Sequence, residues 1–396
     1  MTFPVEPGMQ NPPPSQAASG TLSLSADPVI PRTVATAVAS KKKEHMPALD
    51  GLRGLAAISV VVAHLPTKTA FWEKVSFGEC GVFLFFVLSG FLMTHLHLQQ
   101  PINVVNVRRF CVARVARIVP LYYAIVLMAF AVSMLTQVDF HYRMDLADLV
   151  RLLAFAGSVD VFWSVGPEFQ FYGFFLLLWW IPSLRGRSRT IALALLGVFV
   201  VASYVASPYL PGILFVSKLH IFLGGIGIAL LRHWWGARVQ TRAHVVALLQ
   251  LMACAALWVM LLPYPHMLLP VFPQADVAQL SAWYYTDLPR VLLAALVVLA
   301  FSYRSALSDL LLGNGLASEL GRSSFSIYLL HRPVIDVMTA LGLFDRLDPW
   351  SAGIGCIVAT VLLAWLANRA LETPARVWIT RRFMPARPRS VGTHLG

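Results

Sequence analysis

Residues 49–64 read LDGLRGLAAISVVVAH, an apolar stretch that contains two ionisable side chains, Arg53 and His64. An ionisable side chain in hydrocarbon costs roughly 2.5–3.5 kcal/mol on insertion scales, and such residues tend to mark functional paths. The two residues are eleven positions apart, so a helix places them on one face and about 16 Å apart along its axis. We therefore expect Arg53 and His64 to occupy two levels of one polar path rather than to touch.

The composition of the chain predicts that this stretch lies in a membrane. Of the 396 residues, 58% are hydrophobic and only 13% are charged, and the mean hydropathy is +0.68. Soluble domains carry about 25% charged residues. The apolar runs approach the length of about 20 residues that a spanning helix needs, and they lack the alternation of a β-barrel. These features predict an all-α, polytopic integral membrane protein.

The charge distribution and the cysteines argue against other classes. The net charge is +12, but the Arg and Lys residues concentrate between the apolar runs, which indicates a topology signal rather than nucleic-acid binding. The four cysteines are scattered, with neither metal-ligand spacing nor a disulfide framework. We therefore expect no metal site and no nucleic-acid partner.

The sequence divides into three predicted regions. Residues 1–44 are rich in Pro, Ser and Ala and predict a disordered tail; they do not read as a secretory signal. The lysines at 41–43 precede the first apolar run, which favours a cytoplasmic N-terminus. Residues 45–375 form the predicted membrane domain, and residues 376–396 form a basic cytoplasmic tail that leaves no room for a further soluble domain.

Ten apolar segments are candidate membrane spans, at 47–65, 79–98, 118–136, 166–184, 190–207, 214–231, 244–262, 287–303, 320–342 and 351–370. Arginine-rich connections alternate with loops that hold only scattered positive charges, so both termini are predicted to be cytoplasmic. The longest outer loops are 137–163 and 263–286. Trp283, Tyr284 and Tyr285 in the second loop are typical of the lipid headgroup belt.

Two interpretations are open for each ionisable residue of the first span. His64 has the chemistry of a general base, because a neutral imidazole accepts a proton near physiological pH; alternatively, it is an interfacial histidine bonded to a carbonyl. Arg53 either pairs with Asp50, three residues earlier on the same helix face, or contacts an anion or a carbonyl group.

Two further segments carry weaker local signals. Ser89 and Gly90 are small residues within a run of large apolar residues, a pattern that is typical of close helix packing. Arg114 and Arg117 are three residues apart and therefore neighbours on a helix. Paired guanidinium groups suit phosphate, but the residues alone favour a topology signal or lipid headgroup binding over phosphate.

The segment 163–172 reads WSVGPEFQFY and opens the fourth span. Glu168 complements the dipole of a helix start or faces an outward cavity, and Tyr172 shares its helix face. In the ninth span, Tyr328 and His331 are three residues apart. His331 is either a second proton relay or a packed, hydrogen-bonded histidine.

Taken together, these segments resemble the acyltransferase 3 family of membrane acyltransferases. The resemblance runs in order through LDGLRGLAAISVVVAH at 49–64, GVFLFFVLSGF at 81–91, RVAR at 114–117, WSVGPEFQFY at 163–172, SSFSIYLLH at 323–331 and ETP at 372–374. It covers about 45–380. Two positions depart from the family pattern: Phe83 stands where an acid is often found, and Phe169 replaces the second of two adjacent acids, which leaves Glu168 as the functional carboxylate.

The resemblance implies ten membrane helices and transfer of an acyl group, often acetyl, from cytoplasmic acyl-CoA to a hydroxyl of a carbohydrate, such as a cell-surface or lipid-linked glycan. It implies a multi-pass protein of a bacterial inner membrane. The residues it assigns are catalytic His64, Arg53 and Glu168, acyl-CoA-binding Arg114, Arg117 and Ser89, and acceptor-binding Trp163, Tyr172 and His331.

A mechanism follows from this resemblance as a hypothesis. The phosphates of CoA dock at Arg114 and Arg117, Arg53 steadies the pantetheine arm or polarises the thioester, and His64 takes the proton of the acceptor hydroxyl. Glu168 orients His64 or holds the sugar. The alternatives are an acyltransferase acting on a small molecule such as a glycosylated antibiotic, and a multi-pass transporter or flippase.

Overall fold

The computed structural model describes residues 45–66, 77–261 and 288–385, and within these ranges the chain forms helices and loops without a strand. The predicted N-terminal tail, the aromatic loop at 263–286 and residues 386–396 of the basic tail lie outside the described residues. The α-helices are α1 (Pro47–Ala63), α2 (Phe77–His97), α3 (Val104–Leu135), α4 (Leu146–Leu153), α5 (Val165–Trp180), α6 (Gly186–Ala206), α7 (Leu219–Gln240), α8 (Ala243–Leu261), α9 (Leu288–Phe301), α10 (Ala306–Leu311), α11 (Gly315–Arg322), α12 (Ser324–Ala340), α13 (Leu343–Arg346), α14 (Pro349–Ala367) and α15 (Thr373–Phe383).

Each of the ten predicted spans coincides with a helix, but the helices differ in length. Within the described ranges, six are long and apolar enough to cross a membrane: Phe77–His97, Val104–Leu135, Gly186–Tyr209, Phe215–Gln240, Ala243–Leu261 and Pro349–Phe383. The helices α1, α5, α9 and α12 have 14 to 17 residues, and 17 residues rise only about 25 Å. The all-helical membrane architecture is confirmed, whereas the count of ten and the orientation of the termini stay predictions.

Glycines bring α2 and α7 into close contact at the centre of the molecule. A Cβ added to Gly90 would lie 2.1 Å from the carbonyl oxygen of Phe222, and one added to Gly225 would lie 2.1 Å from that of Val87. Because neither position tolerates a side chain, the two backbones approach as they do at small-residue interfaces of membrane helices. The packing role expected of the Ser89–Gly90 pair therefore belongs to Gly90.

Glycines also bring α1 close to α11 and to Leu312 at the end of α10. An added Cβ would lie 2.0 Å from the Leu312 carbonyl oxygen at Gly51 and 2.0 Å from the Asp50 carbonyl oxygen at Gly321. Gly54 is equally confined, because its Cβ would meet Leu320 at 2.7 Å. The glycines that flank Arg53 thus fix the face of α1 on which its side chain emerges.

Two arginines near the start of α3 make specific contacts with the other end of the described chain. Arg108 donates through Nε to the carbonyl oxygen of Phe383 at 3.1 Å, and Arg109 donates to that of Pro385 at 3.3 and 3.4 Å. The Phe383 carbonyl ends α15, where a helix leaves its last C=O groups without intrahelical partners, and Pro385 lies two residues beyond it. The N-terminal part of α3 is therefore tied to the end of the last described helix.

The junction between α14 and α15 explains the Glu–Thr–Pro segment. The residues Asn368–Glu372 form one π-helical turn, and the Glu372 carboxylate accepts a hydrogen bond from Ser326 of α12 at 2.8 Å. Both side chains are buried. Because a buried carboxylate is costly unless it is hydrogen-bonded, this contact fixes the last helix against α12, the helix that carries His331.

Candidate active site

A cavity lies among α1, α2, α3, α5 and α12. It holds about 590 Å³ of space that no protein atom fills, part of it continuous with the outside. Its ionisable lining consists of Arg53, Arg117 and Glu168, and Ser89, Ser164 and Tyr328 add hydroxyl groups. Two guanidinium groups thus face one carboxylate, and the excess of positive charge suits an anionic or strongly polarised ligand.

Glu168 forms the centre of this cavity. Its Oε1 atom accepts hydrogen bonds from the hydroxyls of Ser89 and Tyr172, each at 2.7 Å. Ser89 and Glu168 are 79 positions apart, so the helix packing of α2 against α5 makes this contact. The dipole interpretation of Glu168 is incomplete, because the carboxylate joins two helices and faces the arginines. The hydroxyl of Ser89 points into the site, whereas Gly90 makes the packing contact.

Arg114 and Arg117 have different surroundings, although they are neighbours on α3. Arg117 lines the cavity. The Arg114 guanidinium carbon lies 5.8 Å from the ring centre of Phe110 and 5.6 Å from that of Tyr172. Its Nε atom is buried without a hydrogen-bond partner. Arg114 therefore supports Tyr172 by a cation–π contact, and Tyr172 in turn holds Glu168.

Arg53 does not form the local ion pair with Asp50 that the spacing allowed. The Asp50 carboxylate contacts Nε2 of His45 at 3.0 Å, although it remains close enough to attract Arg53 electrostatically. Arg53, Arg114, Arg117 and Glu168 lie close enough to influence one another electrostatically. Arg53 thus lies in the polar group around Glu168, and its contact with an anion or a carbonyl group stays a prediction.

Tyr328 separates this cavity from His64. The Tyr328 hydroxyl accepts a hydrogen bond from Ser164 at 2.7 Å and donates one to the Val161 carbonyl at 2.9 Å. One turn further along α12, Nδ1 of His331 bonds the Tyr328 carbonyl oxygen at 2.7 Å. A single residue thus has its ring in the cavity wall and its backbone against His331.

His64 and His331 lie in contact beyond Tyr328. The distance from Nε2 of His331 to Nδ1 of His64 is 3.3 Å, and the ring centres are 5.1 Å apart. Nδ1 of His64 also bonds the carbonyl oxygen of Val60 at 2.8 Å. His331 is completely buried, whereas His64 is half-buried at the end of α1. His64 does not line the cavity itself, in keeping with two separate levels.

The sequence of this chain matches a known protein family. Residues 46–369 match the model of the acyltransferase 3 family, described as an acyltransferase domain. The chain belongs to the acyltransferase 3 family. No solved structure matches it.

This acyltransferase 3 chain is similar in sequence to three proteins that are named O-acetyltransferases. It is 26% identical over 383 residues to the peptidoglycan O-acetyltransferase OatA of Listeria monocytogenes, covering 84% of this chain and 56% of the relative. It is 24% identical over 362 residues to the O-acetyltransferase OatA of Staphylococcus aureus strain NCTC 8325, covering 84% and 57%. It is 28% identical over 155 residues to a putative O-acetyltransferase of S. aureus strain MSSA476, covering 34% and 25%. The chain thus spans about half the length of the relatives that it matches most fully.

The acyltransferase 3 segment at 163–172 contains one position whose role the sequence did not reveal. Gln170 donates to the carbonyls of Phe155 and Ile213 at 3.0 and 3.1 Å, and its Oε1 accepts from the Phe215 amide at 3.0 Å. It thereby joins two loops to α5. Phe169 stacks on Phe155 with ring centres 3.9 Å apart, so the position of the second family acid faces this loop.

A partly buried ion pair next to His331 was also not apparent from the sequence. Arg332 donates through Nε to Oδ1 of Asp160 at 2.9 Å, and each side chain is 15% exposed. Asp160 has a φ of +42°, an uncommon conformation that Asp adopts more readily than most residues. Arg332 is an ionisable residue within an apolar helix, and this rarity is the signal that could have identified it.

Trp163 is the assigned residue that the described geometry leaves outside both clusters. It is half-buried and packs against the hydrophobic core, one position before Ser164. Within residues 45–66, 77–261 and 288–385, no group of three His, Cys, Asp or Glu side chains could hold a metal ion. The structure therefore brings together Arg53, Arg117, Ser89 and Glu168 in one cluster, and His64 and His331 in another.

Proposed function

We propose that this protein transfers an acyl group, acetyl in the first instance, from cytoplasmic acyl-CoA to a hydroxyl of a carbohydrate. The observation that carries the proposal is the pair of clusters on α1, with a basic cavity around Arg53 and an imidazole pair at His64. A reaction whose donor comes from one side of a membrane and whose acceptor comes from the other needs a binding site at each of two levels. The proposal includes ten membrane helices, cytoplasmic termini and a bacterial inner membrane.

The donor side of the proposal rests on charge. CoA carries phosphate groups, and guanidinium forks bind phosphate well. Arg117 faces the cavity, so it receives the anionic donor, while Arg114 holds Tyr172 and through it Glu168. Arg53 lines the same cavity on α1, one level away from His64, so we assign it to steadying the pantetheine arm of the donor.

The transfer step balances with His64 as the base. The acceptor oxygen attacks the thioester carbonyl carbon while the hydroxyl proton moves to His64. The tetrahedral intermediate then collapses, the C–S bond breaks, and the CoA sulfur takes the proton back from His64. The products are the acylated carbohydrate, free CoA and a neutral imidazole. General base catalysis of this kind typically contributes about 10²–10⁴-fold.

The acceptor class is inferred from the relatives. One relative is named a peptidoglycan O-acetyltransferase, so peptidoglycan and its lipid-linked precursors are the first acceptors to test. Arg332 directly follows His331 on α12 and pairs with Asp160, so this ion pair lies beside the imidazole pair, where polar groups suit a sugar. Trp163, three residues after Asp160, remains a candidate acceptor contact.

The test uses purified protein in proteoliposomes with acetyl-CoA on the side of Arg117. We expect free thiol to appear only when an acceptor is present, and mass spectrometry to find the acetyl group on the glycan. Glycans of a strain that lacks the protein should lose this modification. Flux of an unmodified solute without CoA release would instead establish the transporter, and acetylation restricted to a small cytoplasmic molecule would establish the other alternative.

A further inference from the structure

The structure points to a role for His331 that goes beyond acceptor binding. We propose that His331 is a positioning residue that fixes the tautomer of His64, stabilises its imidazolium and leaves Nε2 of His64 as the atom that takes the proton. This inference rests on the proposed function and names the base atom within it.

The hydrogen bonds determine where each proton lies. A carbonyl oxygen only accepts, so Nδ1 of His64 carries the hydrogen that it shares with Val60 at 2.8 Å. For the same reason Nδ1 of His331 carries the hydrogen that it donates to Tyr328 at 2.7 Å. In a neutral imidazole the other nitrogen is then an acceptor. Nε2 of His64 and Nε2 of His331 therefore both hold lone pairs.

The contact between the rings follows from these tautomers. Nε2 of His331 faces Nδ1 of His64 at 3.3 Å, so it meets an N–H with a lone pair, whereas a protonated Nε2 would place two N–H groups against each other. When His64 takes a proton, its Nδ1–H becomes a stronger donor, since hydrogen bonds from ionised donors are roughly twice as strong as neutral ones. His331 thus stabilises the charged intermediate more than the resting state.

The charged groups around the pair do not replace this function. Arg332 and Asp160 satisfy each other, and His141 is paired with Asp336 at 2.5 Å. Of these groups, Arg332, Asp160 and His141 act on the pair through space. Glu168, for which orientation of His64 was one hypothesis, bonds Ser89 and Tyr172 instead. The acceptor atom that contacts His64 from another helix is therefore Nε2 of His331.

Two substitutions separate positioning from structure. His331→Gln places an amide acceptor close to the original Nε2 position, whereas His331→Asn retains only the inner Nδ1 position and removes the acceptor. We expect His331→Asn to lower kcat for acetyl transfer by about 10- to 100-fold, the worth of a hydrogen bond to a charged group. The KM for acetyl-CoA should not change. His331→Gln should recover most of kcat.

A double variant completes the kinetic test. In a His64→Ala background, His331→Asn should cause no further loss of the residual rate, because a residue that acts through His64 has nothing left to act on. Equal losses for Asn and Gln, a raised KM, or a further loss in the His64→Ala background would overturn the proposal. Equal melting temperatures of the two His331 variants provide the control for folding.

A readout independent of transfer distinguishes this inference from the proposed function. In protein labelled with ¹⁵N-histidine in lipid nanodiscs, NMR should find His64 protonated at Nδ1 and unprotonated at Nε2. The Nε2 resonance of His331 should carry a hydrogen-bond shift that is lost in His64→Ala. If NMR finds the opposite tautomer of His64, the inference is overturned even when the protein is active. If NMR finds the expected tautomers but the protein transfers no acyl group, the inference about the histidine pair stands and only the proposed reaction is refuted.

Discussion

The substitution Glu168→Gln removes the negative charge of this side chain but keeps its size, so it measures how much the charge contributes to stability. The carboxylate accepts two hydrogen bonds at 2.7 Å, from Ser89 and Tyr172. A hydrogen bond to a charged group contributes about 1.5–3 kcal/mol and a neutral one about 0.5–1.5 kcal/mol. Removing the charge while keeping both contacts therefore costs about 1 kcal/mol for each bond and about 2 kcal/mol in total. The substitution also leaves Arg53 and Arg117 without their facing carboxylate.

The measurement is the free energy of unfolding in mixed micelles, accompanied by acetyl-CoA turnover. The matched control is Glu319→Gln, which removes the carboxylate of an exposed pair with Arg322; such pairs contribute only about 0–1 kcal/mol. Glu168 and Ser89 should be coupled by about 1–2 kcal/mol in a double-mutant cycle with Ser89→Ala. The central role of this carboxylate is refuted if Glu168→Gln lowers the free energy of unfolding no more than Glu319→Gln does. It is equally refuted if the effects of Glu168→Gln and Ser89→Ala on this free energy are additive.

Three further predictions concern the surroundings of the site. Gly90→Ala should prevent folding because its Cβ would meet a backbone carbonyl at 2.1 Å, whereas Gly173→Ala, with nothing within 4 Å, should express normally by size-exclusion chromatography. Arg117→Ala should raise the KM for acetyl-CoA about 10-fold through loss of one charged contact, while Arg114→Ala should chiefly lower the melting temperature; the reverse pattern would exchange their roles. Gln170→Leu should destabilise the protein by about 2–4 kcal/mol because it leaves loop amide and carbonyl groups unpaired, and unchanged unfolding would contradict this.

The sequence predicts the helices well because the hydrophobic pattern is local. Each apolar segment coincides with a helix. The length of α3 was underestimated, because its first turns from Val104 onward are polar and arginine-rich, and a hydropathy pattern does not register them. Arg114 and Arg117 are therefore part of the long helix itself rather than of a connection before it.

The contacts of the site could not be obtained from spacing. Ser89 meets Glu168 across 79 positions and His64 meets His331 across 267 positions, and these encounters depend on helix packing set by glycines such as Gly90. The sequence suggested a local partner for Arg53 that the structure does not form. What it did predict was the separation of Arg53 and His64, because the rise of one helix fixes it.

The central claim is that His64 accepts the proton of the acceptor hydroxyl, and one measurement tests it most directly. Acetyl transfer from labelled acetyl-CoA to a glycan acceptor is compared in proteoliposomes for the unmodified protein, His64→Ala and the control His244→Ala, which alters an exposed histidine at the start of α8. We predict a loss of at least about 10²-fold for His64→Ala with an unchanged melting temperature, and little change for His244→Ala. Full activity of a folded His64→Ala protein would contradict the account.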